Sequence, residues 1–144
     1  MKHILIALCL FVGLSAPAWA RQGLLQDPAK ITIGQTLDTE QVQAAITAGA
    51  AKRNWSVREA APGRLEATLD VRAKHMARVS IDYDTQAVQI RYLDSFNLNY
   101  ETVSDGRVFI HPNYNKWVGN LAADIQTQLG LAVADQAVTA PLAP

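Results

Sequence analysis

Between Trp55 and Tyr92 apolar residues return at every second position in four successive sets, and this alternation constrains the fold more than any other feature of the chain. The sets are Trp55 and Val57; Leu65, Ala67, Leu69 and Val71 after the Pro62-Gly63 turn; Ala77, Val79, Ile81 and Tyr83; and Val88, Ile90 and Tyr92. Side chains two apart share one face of a strand, so the four sets, joined by short turns, predict an antiparallel meander with one buried face. The intervening Glu66, Thr68, Asp70, Arg72, Arg78, Ser80, Asp82, Gln89 and Arg91 form the opposite face. Its mixture of charges predicts a solvated surface of cross-strand pairs, with a polar partner-binding sheet as the sharper alternative.

Helical signals bracket the meander. Asp38 is a good N-cap, Gln41 three residues later completes a capping box, and Leu37 and Val42 stand where a hydrophobic staple would clamp the start of a helix from about Thr39 to Arg53. Its face of Val42, Ala45, Ile46 and Gly49 is rich in small residues and suits a close approach to the sheet. The last helix is expected over roughly Tyr114 to Leu129, with Tyr114, Trp117, Val118, Leu121, Ile125 and Leu129 on one stripe. Between meander and helix, Phe96, Leu98 and Tyr100 alternate with Asn97, Asn99 and Glu101, and the Asp105-Gly106 turn before Val108 to Ile110 predicts a short extra hairpin.

The fold class that follows is α+β: a three- to four-stranded antiparallel meander with two helices packed on one face, an αβββα-like arrangement. The ends fall outside it. Residues 1–20 have a basic start, the apolar run ILIALCLFVGLSA and small residues at Ala18 and Ala20, the pattern of a secretory leader cleaved after Ala20. Cys9 follows Leu8 inside the apolar run, so lipid anchoring is not expected there. Residues 21–37 read as a lead-in with a short strand at Ile31 to Ile33, residues 38–130 as the single domain, and residues 131–144, beyond Gly130, as a disordered tail.

Removing that leader takes the only cysteine with it, which excludes disulfides and thiol chemistry from the mature chain. Of the 13 basic residues only Lys2 lies in the leader, leaving 12 against 13 acidic ones. That near balance gives no electrostatic case for nucleic acid or an anionic membrane. No later segment approaches twenty apolar residues, so no transmembrane segment is expected in the mature chain.

Candidate chemistry concentrates in residues 109–117, FIHPNYNKW. Pro112 suits a first helical turn, His111 or Asn113 could cap it, and Ile110, Tyr114 and Trp117 could seal the helix against the sheet. The alternative is a groove for a polar ligand lined by His111, Asn113, Tyr114, Asn97, Asn99 and Tyr100. Catalytic patterns are weaker. His75 and His111 lack metal-ligand spacing, no nucleophile elbow or phosphate loop occurs, and Glu59 and Glu66 merely flank a turn. No metal or cofactor is expected.

Four segments, AAITAGAAKRNWSV, EAAPGRLEATL, YDTQAVQIRYLDSFNLNY and IHPNYNKWVGNLAADIQ, resemble a family of small proteobacterial envelope proteins, often described as lipoproteins and without an assigned activity. The similarity spans about residues 39–129 and is most specific in NLNY and IHPNYNKWVGNL. It implies a periplasmic αβββα-type domain; the chain departs from the lipoproteins in having no usable lipidation cysteine. The expected function is a non-catalytic envelope binding or accessory module, partnered by an envelope protein or a small polar ligand. A small periplasmic enzyme using His111, or a structural protein of the envelope, are the alternatives.

Overall fold

The computed structural model describes residues 22–35 and 37–139; the leader expected over residues 1–20 and the last five residues of the expected tail lie outside the described residues. In chain order the elements are β1 (Gly23–Leu24), β2 (Ile31–Thr32), α1 (Thr39–Ala51), β3 (Ser56–Ala61), β4 (Arg64–Val71), β5 (His75–Tyr83), β6 (Ala87–Phe96), β7 (Glu101–Thr102), β8 (Val108–Ile110) and α2 (Pro112–Thr139). The α+β class therefore holds. The sheet is larger than expected: five antiparallel strands in the order β2-β6-β5-β4-β3, with a separate three-stranded sheet ordered β1-β8-β7. The extra strands β1 and β2 come from the lead-in.

The period-two sets line up across the large sheet. Leu65 faces Ile81, which faces Ile90, and Ala67 faces Val79, which faces Tyr92. These rows share one core with Val42 and Ile46 of α1 and Val118, Leu121 and Ile125 of α2. The opposite face carries cross-strand ion pairs: Arg58 meets its register partner Glu66, while Asp82 receives Arg64 at 2.5 Å and Arg91 at 2.7 Å. Such exposed pairs contribute little individually. The lead-in protects the far edge, where Asp27 accepts the Tyr92 N–H at 2.9 Å and the Gln89 amide donates to the Pro28 carbonyl at 3.2 Å.

One irregularity changes what the sequence pattern implied. Val79 pairs with Tyr92 but its neighbour Arg78 pairs with Asp94, so Leu93 is an additional residue in β6. Because side chains alternate, an inserted residue sends everything after it to the other face. Phe96 consequently lies opposite Met76 and is 63 % exposed, instead of alternating inward with Leu98 and Tyr100.

Both helices depart from expectation at informative places. The capping box of α1 is present, with the Gln41 N–H on the Asp38 carboxylate at 2.7 Å and the Asp38 N–H on the Gln41 amide oxygen at 3.0 Å. Its small face packs on the sheet's core through Val42 and Ile46, and at Gly49 it makes its closest approach to α2. A Cβ added at Gly49 would lie 2.8 Å from both the Cα and the N of Ile125. The two helices run antiparallel, pinned by Arg53 on Asp124 at 2.6 Å at one end and by the Gln136 amide on the Gln41 amide oxygen at 3.0 Å at the other.

Helix α2 continues to Thr139, so the tail expected from residue 131 is helical through that residue. Ala132 and Val133 extend the buried stripe of Ile125 and Leu129, and their packing outweighs the roughly 1 kcal/mol that a mid-helix glycine at Gly130 costs. Gly119 and Gly130 are exposed in this helix with nothing within 4 Å of an added Cβ. Replacing either by alanine is expected to raise the unfolding free energy by about 0.5–1 kcal/mol, read as a higher urea midpoint at unchanged slope.

Candidate functional site

The FIHPNYNKW segment is foremost a helix start. The His111 Nδ1 accepts the Asn113 N–H at 3.2 Å, the His111 carbonyl accepts the Tyr114 N–H at 2.9 Å, and the His111 N–H donates to the Leu98 carbonyl at 2.7 Å. His111 is thus the cap, satisfying donors that the first helical turn leaves without partners. Asn113 is exposed and enters the cap through its backbone, not its amide. Pro112 opens α2, as expected from its fixed φ.

The aromatic lock is Tyr114, which is fully buried, with Ile110; Trp117 is only partly buried against the same core. Tyr114 packs edge-on to Tyr92, whose other neighbour, the 46 % exposed Tyr100, stacks on it with ring centroids 4.8 Å apart. The Tyr114 hydroxyl has no hydrogen-bond partner among the described residues. Burial, reinforced by the Asp27 carboxylate, pushes its ionisation far above the ordinary phenol value. Sequence reasoning missed Asn115, whose amide donates to the Leu24 carbonyl at 2.7 Å and accepts the Gln26 N–H at 3.1 Å, stitching β1 to the start of α2.

The NLNY amides have backbone roles. Asn97 and Asn99 adopt φ of 56° and 51°, the left-handed region that asparagine tolerates better than most residues, and together they turn the chain so that Leu98 is buried between them. The Asn97 amide donates to the Lys74 carbonyl at 2.9 Å, and its carbonyl bonds the His75 Nδ1 at 2.8 Å. Of the six candidate residues, Tyr114 therefore offers no surface, Asn97 is occupied by main chain, and His111 caps a helix. Tyr100, Asn99 and Asn113 remain exposed without converging through any shared bond.

The two glutamates that flank the Pro62-Gly63 turn do not converge either. Glu66 pairs with Arg58 on the outer face, whereas Glu59 lies opposite Leu65 and so points to the other face of the sheet. Among the described residues no group of three or more His, Cys, Asp or Glu is placed to hold a metal ion. No helix among them is long and apolar enough to cross a membrane.

A concave site lies instead on the small sheet. Gln22, Glu101, Val103, Ser104, Asp105, Arg107 and Phe109 enclose about 470 Å³. The register explains the arrangement: Phe109 of β8 lies between Leu24 of β1 and Glu101 of β7, so the three side chains share one face. The turn is closed by the Val103 N–H on the Arg107 carbonyl and the Gly106 N–H on the Val103 carbonyl, both at 2.9 Å, with Gly106 at φ 85°. The Arg107 guanidinium sits 5.4 Å above the Phe109 ring and donates to Asp105 at 2.8 Å. The Arg107 N–H and then its guanidinium hold the Asp105 carboxyl below its usual range. Glu101 has no cationic partner among the described residues; its contact is the Gln22 amide at 3.5 Å, which also donates to the Asn99 carbonyl at 3.0 Å.

A second concavity of about 470 Å³ runs between the helices, floored by Ala44, Ala45, Ala48 and Ala132 beside the 55 % exposed Leu131. It is an alanine-lined groove without a charged anchor apart from Asp135. The small-sheet cavity combines an aromatic floor with polar groups of both signs, the usual equipment for fixing a ligand's orientation. Comparison with known proteins adds no assignment: no family model, no curated protein and no solved structure matches this chain.

Proposed function

We propose that this chain is an exported, non-catalytic binding module of the bacterial envelope, and that its ligand-contacting surface is the small-sheet cavity rather than the start of α2. The observation that carries the reading is the contrast between the two places. Around His111 the polar groups are largely consumed by capping and turn formation, whereas around Phe109 a carboxylate, a guanidinium and an aromatic face line open space. The leader-like first twenty residues support an extracytoplasmic address.

The test has two parts. Expressed in a Gram-negative host and fractionated, the protein is expected in the periplasm with an intact mass beginning at Arg21 and no acyl chain; cytoplasmic retention with residues 1–20 intact contradicts the address. Isotope-labelled protein titrated with small-molecule extract of that periplasm is expected to shift the amide signals of Glu101 to Phe109. Shifts confined to His111, Asn113 and Tyr100 would return the site to the start of α2.

A further inference from the structure

The small-sheet cavity carries an unbalanced charge, and the imbalance points to a class of ligand. Asp105 is neutralised by Arg107, to which it is bound through the guanidinium and through the backbone N–H at 3.0 Å. Glu101 is not neutralised by any described residue, so the lining of two carboxylates and one guanidinium is left with one net negative charge beside the Phe109 ring and Val103. The Gln22 amide nitrogen is directed to Glu101 and the Asn99 carbonyl, leaving its carbonyl oxygen as a further acceptor. A carboxylate with a neighbouring neutral acceptor suits a group having several N–H donors and one positive charge. The apolar floor suits a short hydrocarbon or aromatic arm attached to it.

We infer that the cavity binds a primary ammonium carrying one apolar arm, with the ammonium on Glu101 and the arm against Val103 and Phe109. This rests on the binding-module reading above and narrows it to a chemical class. The same chemistry is offered by a free amine and by the N-terminus of a peptide, so the probes must separate the two. Arg107 has an opposing part: it holds Asp105 neutral and covers one face of Phe109, and it thereby limits the site to a single cation.

The experiment is an NMR titration of the labelled, exported chain with four probes: phenethylammonium, phenethyl alcohol, 3-phenylpropionate and the amide of the dipeptide Phe-Ala. Saturable shifts of Gln22, Glu101, Arg107 and Phe109 are expected with phenethylammonium, with the dipeptide amide, or with both; the tighter of the two identifies the source. The alcohol and the carboxylate are expected to bind at least about tenfold more weakly, because they lack the charge-assisted hydrogen bond. Glu101→Gln should weaken the ammonium probes by about tenfold or more while leaving the melting temperature unchanged, since Glu101 is exposed. Arg107→Gln should tighten them by freeing Asp105 and the Phe109 face. Equal binding of the alcohol, or preference for the carboxylate, overturns the ligand class while the cavity remains a binding site. No saturable shift at the cavity with any probe up to about 10 mM overturns the class as well. If, in addition, periplasmic extract leaves the cavity signals unmoved, the binding-module reading fails with it. Should the exported chain respond only when Arg21→Ala is introduced, Glu101 belongs to the chain's own N-terminal residue and the proposal is wrong.

Discussion

Gly49→Val is expected to remove at least about 3 kcal/mol, a large fraction of the stability of a domain of this size. The reason is geometric. A Cβ at this position would meet the Cα and N of Ile125 at 2.8 Å and its Cγ1 at 2.9 Å. Two of those atoms are backbone and cannot rotate aside, so α2 must move away from α1 as a whole. Gly49→Ala gains about 1 kcal/mol of helix propensity but meets the same contact, and a net loss of roughly 1–2 kcal/mol is expected. Urea unfolding of both variants beside Gly130→Ala makes the comparison internal, because the same chemical change is expected to have opposite signs at the two glycines. A neutral Gly49→Val variant would mean that the helices do not approach as described.

Tyr114→Ala is expected to cost about 3–5 kcal/mol, the largest effect of any change in the segment that starts α2, because it removes a fully buried ring from beneath Tyr92. Tyr114→Phe is the discriminating companion. Its hydroxyl is buried and has no partner among the described residues, so deleting it gives up no hydrogen bond to them and removes a desolvation penalty. A change between zero and about 1 kcal/mol of added stability is expected. The two variants also differ in alkali. The folded phenol ionises well above the ordinary value of 10.0, so the neutral ring stabilises the native state fully below that pH. Above it the unfolded chain loses its proton first, and stability falls as pH rises. Tyr114→Phe should therefore flatten the decline in stability beyond pH 10.0, though Tyr92, also raised by burial, keeps part of it. A Tyr114→Phe variant as damaged as Tyr114→Ala would show that the hydroxyl has a partner after all.

What could be read from the sequence was whatever local geometry alone dictates. The inward residues of β4 to β6 follow from alternation, and the α1 capping box follows from two side chains three residues apart. The stripe from Tyr114 to Leu129 follows from helical period. Periodicity reports which face is buried but not against what, so the close approach of α2 at Gly49 could not be read from it. Nor does it survive an inserted residue: Leu93 makes the outward Phe96 look inward. The turn between β4 and β5 is signalled by Asp70, which accepts the Ala73 N–H at 2.7 Å, but its left-handed backbone is not, for Arg72 and Ala73 adopt φ of 58° and 52° without a glycine or asparagine. At the site, the density of amides in NLNY was real but belonged to left-handed backbone, whose geometry a sequence does not display. The cavity residues were invisible for a different reason. Gln22 and Glu101 lie 79 positions apart and meet only because β1 and β7 flank β8.

That joining of distant segments bears on how the chain comes to be folded at all. Strand β1 pairs with residues Phe109 and Ile110, and α1 fits against a groove whose other wall begins near Asp124. A nascent chain that has delivered all five strands of the large sheet has α1 but not α2 to cover their apolar face, and β1 still has no neighbour. Closure must wait for the last thirty or so residues, so the order of synthesis and the order of structure formation are decoupled. Under the export proposed above, such late closure would keep the polypeptide threadable until α2 has passed.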